Sequence, residues 1–202
     1  MQNVFDELYA CSKNGNNFYK LYEIIISKEN ILLAYRNLKT NPGSKTPGVD
    51  KKTIADISRL TDDEVVSKVR NKLRYYHPQA VRRVYIPKPG SDKKRPLGIP
   101  TIWDRLIQQC ILHVLEPICE PKFHNHSYGF RPNRSCEHTL SRSITLVNLA
   151  NHHYCVDIDI KGFFDNVDHG KLLKQIWTLG IRDKRVISII SKILKFEIVG
   201  EG

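Results

Sequence analysis

Asp157 and Asp159 stand two residues apart in the stretch Tyr-Cys-Val-Asp-Ile-Asp-Ile-Lys-Gly-Phe-Phe-Asp-Asn-Val-Asp, residues 154–168. Carboxylates of this kind suit magnesium, which takes one or two of them together with waters and substrate phosphates in octahedral geometry. An ionised Asp inside an apolar run carries a desolvation cost that something cationic must offset. The run itself reads as a strand buried on both faces. Side chains alternate across a strand, so Cys155, Asp157 and Asp159 share one face while Tyr154, Val156 and Ile158 share the other. Lys161 and Gly162 break the apolar pattern at the C-terminal end, where α/β sheets present reactive groups, so Asp159 is the better placed of the two. These residues alone also admit a structural reading, in which Asp159 caps the turn and Asp157 pairs with a Lys or Arg.

A second chemistry is carried by charge. The 202 residues have a formal net charge of +11, with ordinary hydrophobic (41%) and charged (26%) fractions, so the chain is globular and suited to a polyanion, nucleic acid first. Between Lys68 and Arg105 eleven Lys or Arg face only Asp92 and Asp104, a local excess of +9. Within it, Arg82 to Pro87 and Pro96 to Pro100 read as two strands joined by the basic turn Lys88 to Arg95. Such a tip suits phosphate, or it is simply a solvated turn. Ser127 to Ser135 interleaves Tyr128, Phe130, Arg131 and Arg134, a stacking and phosphate toolkit or a tight turn whose Arg residues bind local carbonyls.

Other classes are excluded. Cys11, Cys110, Cys119, Cys136 and Cys155 are odd in number and lack C-x-x-C spacing, which argues against a disulfide framework or zinc ribbon and for a reducing compartment. His124 and His126 near Cys119 fit no zinc pattern. The N-terminus, with Asp6 and Glu7, is no signal peptide, and no run approaches the roughly 18 apolar residues of a membrane span, so a soluble intracellular protein is expected.

The elements that must position these groups are mostly helical. Residues 1–39 carry helical spacing (Phe18, Leu21, Ile25; then Ile31, Tyr35, Leu38 after a cap at Ser27), and the two Pro-Gly turns of residues 40–50 interrupt it. A short helix follows Asp50. Thr61 and Glu64 form a capping box for a helix striped by Val65, Val69, Leu73 and Tyr76, whose remaining surface bears Lys68, Arg70, Lys72 and Arg74. Thr101 and Asp104 open a long helix with Leu106, Cys110, Val114 and Ile118 on one side, ended by Pro117 and Pro121. Ser135 caps a helix bearing Leu140, Ile144 and Val147. Asp168 caps another through Trp177, ended by Gly180, and Asp183 to Lys195 forms a further amphipathic helix before a strand that starts at Phe196.

Five blocks taken together, Arg82-Arg-Val-Tyr-Ile-Pro-Lys-Pro-Gly, Arg95-Pro-Leu-Gly-Ile-Pro-Thr, Asp104-Arg-Leu-Ile-Gln-Gln, Ser127-Tyr-Gly-Phe-Arg-Pro-Asn-Arg-Ser and Asp157-Ile-Asp-Ile-Lys-Gly-Phe-Phe-Asp-Asn-Val-Asp-His, resemble bacterial group II intron-encoded reverse transcriptases, or maturases. Thr46-Pro-Gly-Val-Asp50 resembles their N-terminal extension, with Lys51 standing where the family often has Gly.

The resemblance implies an α+β, helix-rich, right-hand polymerase fold with a basic β-hairpin: an N-terminal extension of the fingers (residues 1–60), fingers (61–152) and the first part of the palm (153–202). It implies an RNA-directed DNA polymerase that also binds intron RNA as a splicing maturase. Asp159 corresponds to the first catalytic carboxylate, bridging two Mg²⁺ ions with the Ile160 carbonyl as a further ligand, while Asp157 is not a metal ligand of the family. In such a site the metals activate the primer 3′-hydroxyl and clamp the triphosphate. Lys88 and Arg95 resemble residues that grip the incoming dNTP, with Arg82 behind them. Phe164, five positions after Asp159, matches the aromatic that excludes the 2′-hydroxyl of ribonucleotides, and Phe163 is left to core packing. Lys68, Lys72, Arg74, Arg131 and Arg134 are the expected RNA contacts. Asp165 and Asp168 read as hydrogen-bonders or caps.

The family's second carboxylate motif, Tyr-x-Asp-Asp, and its thumb are absent from these residues, so the 202 residues alone are expected to be inactive. The implied partners are intron RNA and an RNA template with a DNA primer, in a bacterial cytoplasmic, nucleoid-associated ribonucleoprotein; homodimerisation is left open. An RNA-binding maturase module without polymerase activity, or a retron or other bacterial reverse transcriptase, are the alternatives.

Overall fold

The computed structural model describes residues 1–87, 89–90 and 92–200. Along the chain lie α1 (Gln2–Lys13), α2 (Leu21–Ile25), α3 (Lys28–Thr40), α4 (Ile54–Ile57), α5 (Asp62–Arg74), β1 (Val81–Pro87), β2 (Lys94–Ile99), α6 (Ile102–Cys119), α7 (Cys136–Asn148), α8 (His169–Thr178), α9 (Lys184–Leu194) and β3 (Ile198–Val199). The result is a helix-rich α+β fold with a three-stranded sheet in the order β2-β1-β3.

α6 is the axis of the core. Thr101 caps it, and Leu106, Cys110, Val114 and Ile118 are fully buried as the i, i+4 spacing requires, packed against α1, α2, α3 and α5. Pro117 does not end this helix, contrary to expectation; the helix continues to Cys119. A proline there forfeits one backbone bond in the last turn. The terminal carbonyl of Ile118 is satisfied instead by the buried Ser12 hydroxyl of α1, at 2.6 Å. Inside the same core Asn30 donates to the Ile25 and Cys110 carbonyls, both at 3.0 Å, while its Oδ1 lies 3.2 Å from His113 Nδ1.

The capping boxes at Thr53/Asp56 and Thr61/Glu64 open α4 and α5. Asp183, buried, accepts from the backbone of Tyr22 in α2 and from Arg185 and Val186 at the start of α9, so one carboxylate satisfies two helix N-termini. A parallel bridge between Phe18 and Ile181 reinforces that junction. The helices after residue 168 are thereby tied to the N-terminal core.

One expectation fails, and beside it an apolar stripe stays uncovered. Residues 151–160 form no strand: Tyr154, Val156, Ile158 and Ile160 are exposed, and the hydrogen bonds of residues 150–167 among the described residues are local. α7 forms where expected but buries nothing, leaving Leu140, Ile144 and Val147 in solvent. The reason is common to both. A strand needs a hydrogen-bonding neighbour and an apolar stripe needs an opposing face, and the described residues supply neither.

Candidate active site

The hairpin is the best defined part of the site. β1 and β2 pair antiparallel from Arg82↔Ile99 to Pro87↔Lys94, with Ile86 opposite Arg95 and Val84 opposite Leu97. Paired residues share a face, so Arg82 and Arg95 project from the same side of the ribbon, separated along it by four residues, roughly 13 Å. The Arg95 side chain is exposed and makes no hydrogen bond or ion pair with any described residue. Lys88 lies outside the described residues. β3 pairs parallel with the base of β1, Val81↔Ile198 and Arg82↔Val199, which brings the end of the chain against the root of the hairpin.

Arg82 is held from behind. Its Nε and Nη2 donate to the Pro47 carbonyl at 3.1 and 2.8 Å, while Arg105 donates to the Gly43 and Thr46 carbonyls at 2.7 and 2.6 Å. The Pro-Gly loop of residues 42–48 is therefore strapped to the hairpin and to α6. It sits so close that a Cβ on Gly48 would lie 2.8 Å from the Thr101 backbone. Below the strap, the buried Asp104 accepts from Tyr76 (3.0 Å), the Gln79 backbone (3.2 Å) and Thr101 (2.6 Å), joining α5, the approach to β1 and α6 at one carboxylate. Burial above all, then the Asp104 charge and hydrogen bond, pushes the Tyr76 hydroxyl far above the ordinary tyrosine range. Arg105 stands in the Asp104-Arg-Leu-Ile-Gln-Gln block with no role assigned to it, and Glu120 stands in none of the blocks. Their signal is spatial.

The Ser127–Ser135 loop is built on Arg131. Its guanidinium, almost fully buried, makes a bidentate pair with Glu120 and donates to the His124 and Ser127 carbonyls. That is the tight-turn arrangement, and its donors are spent inside the loop. Arg134 stays half-exposed with its guanidinium 5.7 Å from the Tyr128 ring centre. Phe130 is fully exposed at a φ of +54°, an uncommon conformation for a bulky residue. It is a stacking candidate that sequence spacing did not separate from Tyr128.

On α5 the cations divide between two faces. Lys68 lies 4.6 Å from the Trp103 ring centre and shares the i, i+4 row with half-buried Lys72, whereas Arg70 and Arg74 form another row.

Asp159 and Ile160 lie in the exposed segment, followed by the Gly162 turn at a φ of +61° and a short 3-10 turn over Phe164–Asn166. Phe164 is 85% exposed. Phe163, expected in the core, is exposed as well, its ring edge-on to that of Phe164 at 5.4 Å. No group of three or more His, Cys, Asp or Glu suited to a metal exists among the described residues, His124 and His126 included. Asp159 fits a divalent ion as one carboxylate of a larger donor set, not as a complete site. Asp168 caps α8 through Lys171, as its sequence position predicts.

Residues 86–202 match the family model described as reverse transcriptase (RNA-dependent DNA polymerase). The chain is 41% identical over 195 residues to the group II intron-encoded protein LtrA of Lactococcus lactis subsp. cremoris, covering 93% of this chain and 31% of LtrA. It is 35% identical over 192 residues to protein YkfC of Escherichia coli K12, covering 93% and 50% respectively. Against the mitochondrial nuclear intron maturase 1 of Arabidopsis thaliana it is 32% identical over 97 residues, 48% of this chain and 13% of that protein. It thus spans from about an eighth to half the length of these relatives.

Proposed function

The chain belongs to the reverse transcriptase family, whose members use divalent metal ions and deoxynucleoside triphosphates, and we propose from that premise that it is part of a longer group II intron-encoded RNA-directed DNA polymerase that also binds its intron RNA. We assign residues 1–60 to an N-terminal extension, 61–152 to the fingers and 153–202 to the first part of the palm of a right-hand polymerase. The observation that carries this reading is the hairpin: one exposed guanidinium, Arg95, inside the matched region, and one strapped guanidinium, Arg82, just before it, on the same face of a basic ribbon.

In this reading Lys88 and Arg95 hold the incoming triphosphate. Arg82, fixed through Pro47, keeps the ribbon's root in register while its charge faces the nucleotide. Phe164 lies beneath the sugar and excludes a 2′-hydroxyl. Asp159 and the Ile160 carbonyl are this chain's donors toward Mg²⁺, which when bound supplies charge neutralisation at the reacting phosphate. The exposed apolar segment around Tyr154–Ile160 and the bare face of α7 support a longer protein, because contiguous apolar surface of this kind calls for a partner. Lys68, Lys72, Arg74 and Arg134 serve the RNA, with Arg131 shaping the loop that presents Arg134. The setting is a bacterial cytoplasmic ribonucleoprotein; no helix among the described residues is long and apolar enough to cross a membrane.

Primer extension on an RNA template with dNTPs and Mg²⁺ tests the assignment. DNA synthesis is expected from the longer protein and not from the 202 residues alone, and robust synthesis by the isolated chain overturns the division of the active site. A longer protein that promotes intron splicing yet extends no primer would favour a maturase without polymerase activity.

A further inference from the structure

A cleft of about 560 Å³ opens between α2, α5 and α9, away from every group assigned above except Arg74. Its walls carry Arg70, Arg74, Lys184, Arg185 and Lys192 against the single carboxylate Glu23, and its floor is Tyr22, Leu73, Tyr76 and Ile189. None of these residues belongs to the hairpin, to the 127–135 loop or to the 154–168 segment. The volume is that of a ligand site, within the usual range of roughly 300–1,000 Å³.

We propose that this cleft is a second phosphate-backbone site for RNA, with Arg74 and Lys184 taking phosphodiester oxygens and Arg70, Arg185 and Lys192 forming a fixed cationic wall. Three of the cations are already oriented by the fold. Arg70 Nε donates to the Ile26 carbonyl at 2.9 Å, and Lys192 Nζ donates to the Tyr76 carbonyl at 2.9 Å. Arg185 pairs with Glu23 and lies 4.1 Å above the Tyr22 ring centre, which also cancels the one negative charge in the cleft. Each of the three has donors to spare beyond these anchors. The Arg74 and Lys184 side chains are exposed and make no hydrogen bond or ion pair with any described residue.

The placement on α9 points the same way. Lys184 and Arg185 occupy its first turn, directly after the capping Asp183. Lys184, Ser188 and Lys192 then repeat every four residues, a rise of roughly 6 Å per step. Such a row of donors meets a repeating phosphate backbone better than a single small anion. The choice of RNA over an acidic polypeptide rests on the RNA-binding reading above.

The test uses the 202-residue chain and a fluorescein-labelled single-stranded RNA 20-mer, with binding followed by anisotropy between 50 and 300 mM KCl. The double variant Arg74→Gln/Lys184→Gln is expected to bind roughly ten-fold more weakly at 100 mM KCl and to flatten the log K against log salt slope by about 1.4, the loss of two single-strand phosphate contacts. In the unmodified chain, RNA is expected to protect Lys184 from acylation by an N-hydroxysuccinimide ester, a readout independent of how the variant folds. If the unmodified chain binds RNA with a steep salt slope while the double variant matches it and Lys184 stays reactive, the cleft proposal fails and the RNA reading stands. If the unmodified chain does not bind RNA, both fail. A poly-glutamate peptide that binds this cleft as tightly as the RNA overturns the proposal in favour of an acidic protein partner.

Discussion

Lys51 has a φ of +57°, in the left-handed region that costs an L side chain roughly 1 kcal/mol or more. The residue follows Asp50, whose carboxylate accepts from the Lys52 backbone at 3.2 Å and sets the turn into α4. A Gly would adopt this backbone conformation without the Cβ penalty. Lys51→Gly is expected to raise stability by about 0.5 kcal/mol in urea denaturation, the relief of strain exceeding the added entropy of the unfolded chain; a loss of stability would contradict it. His113 offers a second test at this scale. Asn37 Nδ2 and Gln109 Nε2 both approach its Nε2 at 2.9 Å while Nδ1 faces Asn30 Oδ1, an arrangement for the neutral ring with its proton on Nδ1. Burial holds its pKa below the usual histidine value of 6.5. The unfolded chain takes up a proton that the folded ring refuses, so this contribution is fully present above about pH 6.5 and declines as pH falls toward the folded value. The slope approaches about 1.4 kcal/mol per pH unit. Denaturation midpoints at pH 7.5 and 5.5 should differ less in His113→Gln than in the native chain, and equal differences would rule His113 out as the cause.

At the scale of elements, the local devices were readable. Thr61 with Glu64, Thr101, Asp168 and Asp183 all cap the helices their sequence positions announce, and the two strands flanking the Lys-rich turn pair in antiparallel register. What could not be read was which apolar stripes find a partner. Ile31, Leu38 and Val65 are buried, whereas Leu140, Ile144 and Val147, written in the same period, are not. Periodicity states that a face is apolar; burial depends on what stands opposite. The straps Arg82 to Pro47 and Arg131 to Glu120 were hidden for a related reason, since an Arg in a motif reads alike whether it grips a ligand or a carbonyl. Thiol reactivity checks the unpaired segment. Cys155 is exposed whereas Cys110 is fully buried, with burial pushing its thiol up to about 12. Iodoacetamide followed by peptide mapping should modify Cys155 quickly in the folded chain and leave Cys110 untouched. Protection of Cys155 would mean that residues 154–160 are covered.

For the whole molecule, the arrangement is a helical core centred on α6 that fixes a basic ribbon on one side and ties α8 and α9 back through Asp183. Charge and apolar exposure are segregated on it. Basic surface lies on the hairpin and along α5 and α9, while the bare apolar surface is concentrated in α7 and residues 154–164. The first suits RNA and nucleotide, the second the remainder of a longer enzyme. The central claim, that Asp159 serves DNA synthesis and not RNA binding, is tested most directly by Asp159→Asn in the longer protein, assayed for primer extension on an RNA template beside intron RNA affinity. The predicted result is loss of DNA synthesis by about three orders of magnitude or more, as for removal of a group acting on the transition state, with RNA affinity unchanged. Synthesis that persists near the native rate would contradict the assignment.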